Sequence, residues 1–193
     1  MAYPTTRKFQ ARNGKTAACG KCGKEIVKGE RYVSVQYGFR GSLLVRCTAS
    51  ACEFKRSEYT ASKLAGVYAA SEQAHDAIDA LTSRDVEVLV EDLESILNEC
   101  AEAWREVAAE YQDAADNMQG GLGEQMQERV DAVESAADTL ESTSLEATAP
   151  EACSDHDDID ADCADCQTAV DEAVESLREE ARMAIDGAEG EVG

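Results

Sequence analysis

The sequence predicts an α+β fold in two parts, a small N-terminal β-hairpin unit held by cysteines and a longer, mostly α-helical region. Three observations predict it. Cysteines form two close pairs, Cys19/Cys22 and Cys47/Cys52, on either side of a stretch that alternates as a strand does. Beyond residue 84, apolar residues recur in steps of three and four, the spacing of a helix face. Charge also divides the chain: residues 1–63 carry 13 Lys or Arg against 4 Asp or Glu, whereas residues 64–193 carry 5 against 36.

These figures bound the core. A chain of 193 residues allows one ordinary domain or a small domain with an appendage. Only 5% of residues are aromatic and alanine supplies much of the 44% hydrophobic content, so helices packed through narrow stripes suit the composition better than one large core. The net charge of −22 is a +9 head joined to a −31 remainder, with no lysine after Lys63. A basic head suits an acidic partner, while a long acidic stretch repels itself and avoids nucleic acid.

Residues 1–18, basic and containing Pro4 and Gly14, read as a flexible arm, and residues 19–60 as the finger. From Arg31 to Tyr37 one side carries Tyr32, Ser34 and Gln36 and the other Val33, Val35 and Tyr37, as in a half-buried strand. Gly38-Phe39-Arg40-Gly41 supplies a turn, and Leu43-Leu44-Val45 a return strand leading to the third cysteine. This hairpin is about the right length to bring the two cysteine pairs together. Zinc takes four thiolate or imidazole ligands in tetrahedral geometry, and about 45 residues rarely bury enough apolar area to fold without such a site. Cys19, Cys22, Cys47 and Cys52 are therefore expected to hold one zinc ion.

The order of knuckle, hairpin, second cysteine pair and helix resembles the treble-clef class of zinc fingers. The stretch from Cys19 to Glu30 is locally similar to the opening of the poly(ADP-ribose) polymerase-type finger. Here the third position is Cys47, where that family uses histidine with a shorter gap to the fourth ligand. The resemblance spans about a fifth of the chain and implies a fold class, not recognition of DNA breaks. A basic finger before an acidic helical tail also resembles small uncharacterised proteins of tailed bacteriophages.

Residues 61–142 read as an acidic helical region. Leu64, Val67, Tyr68, Ala74, Ile78 and Leu81 mark a first helix, and Thr82 to Asp85 offer caps for the next. Val86, Leu89, Leu93, Ile96, Cys100, Trp104, Val107, Tyr111, Ala114 and Met118 form a coiled-coil-like stripe. Gly120, Gly121 and Gly123 interrupt it, and Leu122, Met126, Val130, Val133, Ala137 and Leu140 form a second stripe. Residues 84–142 are thus expected to make an antiparallel helical hairpin, with a single bent helix as the alternative.

Residues 143–167 read as an acidic linker containing Cys153, His156, Cys163 and Cys166. These four are chemically suited to zinc, although the six-residue loop between the pairs is shorter than in the usual finger. A second metal site and an exposed linker with reactive thiols are the two readings. Residues 168–193 are expected to form a last helix, with Val170, Val174, Leu177, Ala181 and Ile185 inward and a tail fraying from Gly187. Cys100 reads as a packed core thiol, and His75 as an ordinary surface histidine.

The chain carries no phosphate-binding glycine loop, no dinucleotide fingerprint and no His-Glu pair at metalloprotease spacing, which points away from an enzyme. Its opening lacks the apolar core of a signal peptide and no run is long enough to cross a bilayer, so the expectation is an intracellular, cytoplasmic protein, in host cytoplasm if phage-encoded. Close cysteine pairs in a reducing compartment suit metal better than disulfides. The expected function is a non-enzymatic zinc-binding module contacting DNA or RNA through Arg40, Arg46, Lys55 and Arg56, with the acidic helices regulating or assembling it. The alternative is a host or self protein as partner of the acidic hairpin, which would present carboxylates in place of phosphates.

Overall fold

A computed structural model describes residues 4–10, 17–36, 43–118, 121–156, 158–159 and 162–192. They fall into two units, Met1–Tyr68 and Ala69–Gly193, each considered by itself.

In the first unit the alternating segment forms β4 only after three shorter strands: β1 (Thr5–Lys8), β2 (Ala17–Ala18) and β3 (Glu25–Ile26) precede β4 (Arg31–Gln36) and β5 (Leu43–Cys47). β1, β4 and β5 make an antiparallel sheet in that order, and β2 pairs with β3. Register places Tyr32 opposite Cys47 and Val33 opposite Arg46, so the expected hairpin is present, while its turn and the tip residues Tyr37, Phe39 and Arg40 lie outside the described residues. The arm expected to be flexible is structured over Thr5–Lys8, which pairs with β4, and Phe9 N–H then donates to Glu30 O at 2.8 Å. Sequence alternation missed this strand because all four of its residues are exposed, leaving no apolar period to read. Downstream come a 3-10 turn (Ser50–Cys52) and the single-turn α1 (Arg56–Tyr59). The unit extends past the expected boundary at residue 60, because Arg56 stacks on the Tyr68 ring at 3.8 Å.

Four helices follow: α2 (Leu64–Ala80), α3 (Val86–Asp116), α4 (Gly121–Glu141) and α5 (Ala164–Val192). Asp85 caps α3 by accepting from the N–H groups of Glu87 and Val88. The α3–α4 hairpin is antiparallel: Arg105 of α3 donates to Asp138 at 2.8 Å and pairs with Glu141, both near the far end of α4. Trp104, Val107, Ala108 and Tyr111 of α3 and Val130, Val133, Ala137 and Leu140 of α4 are all buried, and the two helices pack along their length. Three stripe positions differ from expectation. Leu97, not Ile96, is in the core, and Met118 and Leu122 are 43% and 61% exposed, since they flank the turn where neither helix continues to cover them.

α5 runs antiparallel to α2, with Arg182 on Asp79 at 2.7 Å and His75 Nε2 3.1 Å from Asp186. It starts at Ala164, before the expected Thr168, and does not fray after Gly187: Ala188 and Val192 are 2% and 1% exposed. They continue the stripe of Ala181 and Ile185 at helical spacing, and their burial offsets the roughly 1 kcal/mol each that Gly187 and Gly190 cost a helix. No helix among the described residues is long and apolar enough to cross a membrane.

Candidate metal centres

The first centre is assembled by backbone geometry around Cys19. Its N–H donates to Lys24 O at 2.8 Å and its carbonyl accepts from Gly23 N–H at 2.9 Å, a tight knuckle closed by Gly23 at φ 74°. Gly20 N–H donates to Val45 O at 2.8 Å, which ties the knuckle to β5, the strand ending in Cys47. The 3-10 turn then returns Cys52. The sulfurs of Cys19, Cys22, Cys47 and Cys52 all lie within 4.8 Å of one another, with Cys22 and Cys47 at 3.7 Å. A zinc–sulfur bond of about 2.3 Å implies a tetrahedral edge of about 3.8 Å, so this separation fits a metal and is far beyond the roughly 2.05 Å of a disulfide. Cys19, Cys47 and Cys52 are buried together with Ile26.

Electrostatics prepares the knuckle for a cation. Burial pushes the Cys19 thiol up, but the N–H groups of Cys22, Cys47 and Lys21 outweigh it and hold the thiol at about 6. Cys52 moves the other way, to about 12, through hydrogen bonding with Cys47 and burial.

The second set comes together at the start of α5. Cys163 accepts the Gln167 N–H through its carbonyl and Cys166 sits in the first turn. Donor atoms of Cys153, His156, Cys163 and Cys166 lie within 4.8 Å of one another. Cys153 is 3.7 Å from Cys163 and 3.6 Å from Cys166, and His156 Nδ1 is 3.8 Å from Cys166, again close to tetrahedral edges. Cys153 and His156 approach to 3.0 Å, a hydrogen bond. The Asp155 N–H favours a Cys153 thiolate, but burial and hydrogen bonds with Cys166 and Cys163 push this thiol up to about 11. The short loop is therefore no obstacle, and both four-donor sets can hold a metal ion. All eight cysteines are free thiols; Cys100, buried between helices, is pushed up to about 12 by burial and by Glu189.

The basic residues named from sequence have diverse places. Arg46 donates to both oxygens of Glu58 at 2.7 and 2.5 Å and to Glu53 O at 2.8 Å, and lies over the Phe54 ring at 4.3 Å. It secures the chain that follows Cys52, a role visible in no sequence pattern. Glu58 also caps α1 through the Lys55 N–H, and the Arg46 guanidinium holds its carboxyl below the ordinary range. Arg56 is stacked on Tyr68, and Arg40 lies outside the described residues.

No family model, curated protein or solved structure matches this chain. The geometry of the two centres and the charge around them carry the functional reading.

Proposed function

We propose that this chain is a non-enzymatic zinc-binding module whose basic N-terminal unit contacts nucleic acid, with the acidic helical part regulating or assembling it. The observation that carries the reading is a four-thiol centre inside the only segment with a surplus of positive charge, +9 over residues 1–63. Four protein donors fill a tetrahedral ion and leave no open position for substrate, which supports structural metal over catalysis. Phosphate neutralisation by Lys and Arg releases counterions and drives binding. The tethered −31 segment competes for the same cations and so tunes affinity.

Native mass spectrometry and fluorescence anisotropy test the two halves of the proposal. Two zinc ions per chain are expected, and one would reject the second centre. The zinc-loaded chain is expected to bind short DNA or RNA probes at low salt, with affinity falling as salt rises. If it binds none, the reading gives way to a protein partner of the acidic helices. One observation favours that alternative: all five arginines after Lys63 are engaged in hydrogen bonds or ion pairs within the chain, leaving an acidic surface.

A further inference from the structure

The cations of the N-terminal unit divide into those that have partners within the chain and those that do not. Arg46 is held by Glu58, Arg56 by Tyr68, and Lys24 lies 3.8 Å from Glu30. Arg7, Lys8 and Arg31 are exposed and have no acidic partner among the described residues. The nearest acid in sequence, Glu30, turns its carboxylate to the Val27 N–H at 3.0 Å and to Lys24.

Register brings two of these cations face to face. β1 and β4 pair so that Lys8 stands directly opposite Arg31, with Arg7 opposite Tyr32 and Thr6 opposite Val33. Hydrogen bonds just beyond, Phe9 N–H to Glu30 O and Gly29 N–H to Phe9 O, lock that register. Two like charges directly opposite on neighbouring strands destabilise a sheet. Here the pair is held in place with no internal counter-charge. Thr6, Arg7, Lys8 and Arg31 together line a shallow concavity of about 330 Å³. β1 is an edge strand, so one row of its peptide N–H groups also faces away from the sheet.

We infer that Lys8 and Arg31, with Arg7 and Thr6, form a phosphate seat that holds the backbone of a nucleic acid. The inference rests on the nucleic-acid reading above and moves its contact surface from the residues around Arg46 to the β1/β4 corner. An open seat of flexible cations on a sheet edge suits successive phosphodiesters along a strand. It offers no enclosure for a small phosphate metabolite.

The test uses the full zinc-loaded chain, fluorescent single- and double-stranded DNA and RNA oligonucleotides at low salt, and the double variant Lys8→Gln/Arg31→Gln. The variant is expected to bind about tenfold more weakly, with the slope of log affinity against log salt reduced by about 1 to 2. It should unfold at the same or higher denaturant concentration than the wild type, because a like-charge pair has been removed; that separates lost contacts from lost folding. A Lys63→Gln control should lose at most a small part of the affinity. Unchanged affinity and slope in the double variant, with the wild type binding, would overturn the seat and leave the nucleic-acid reading standing. Failure of the wild type to bind any oligonucleotide would overturn both. Inorganic phosphate and phosphatidylserine vesicles serve as competitors, and tighter binding of either than of the oligonucleotides would reassign the seat.

Discussion

Arg46 and Glu58 show how a single pair can decide the order of the first candidate metal centre. Their bidentate contact fixes the chain immediately after Cys52, and the arginine is only 13% exposed. Removing the carboxylate leaves a largely buried guanidinium short of a partner, so Glu58→Gln should destabilise the N-terminal unit by about 1 to 2 kcal/mol at pH 7. The folded-state pKa of Glu58 lies below its ordinary value of 4.5. Its contribution is therefore fully present above that value and is lost as pH falls through the lowered one. Amide exchange of residues 43–59 should show a constant gap between wild type and variant from pH 8 to 5. A gap that closes within that window would contradict the assignment. The two four-donor clusters were legible as candidate metal sets because closely spaced cysteine pairs on tight turns have few other uses. The fate of Arg46 was not, since a cation's partner twelve residues away depends on how β5 and α1 meet.

At the scale of the element, α5 is the informative case. Its apolar positions were legible as far as Ile185, but two glycines obscured the last turn, and only packing reveals that Ala188 and Val192 belong to the same face. The β1 strand was hidden for the opposite reason, being wholly exposed and defined by hydrogen bonds alone. Helical Gly187 and Gly190 have open space where a Cβ would stand. Alanine at Gly187 should therefore stabilise the helical unit by about 0.5 to 1 kcal/mol, with a smaller gain at Gly190 in the last turn. Gly123→Ala should not help, because its Cβ would meet the Met118 carbonyl at 3.3 Å. Thermal unfolding of the three variants, followed by circular dichroism, gives the order directly, and a destabilised Gly187→Ala would mean that the last turns of α5 do not pack as described.

For the molecule as a whole, the balance of charge in the helical unit outweighs any one ion pair. Arg84, Arg105, Arg129, Arg178 and Arg182 link helices to one another or to neighbouring backbone, yet they face a large acidic excess. Exposed pairs contribute about 0 to 1 kcal/mol each and repulsion among the remaining carboxylates opposes them. Raising salt from about 10 mM to 1 M shortens the Debye length from about 30 to 3 Å, so the helical unit should melt at higher temperature. Fluorescence of Trp104, fully buried on α3, reports that transition, and a melting point that falls with salt would show that the arginine links dominate. The linker after α4 adds a different consequence. It is pegged at Leu145, whose N–H donates to Glu94 at 3.3 Å, and knotted at its far end by Cys153, His156, Cys163 and Cys166. Between these points Glu146, Pro150 and Glu151 only line an open groove against α5. On the zinc reading proposed above, chelation should let a glutamate-specific protease cut at Glu151 well before it reaches the helices, so that zinc supply would be written into the lifetime of the intact chain.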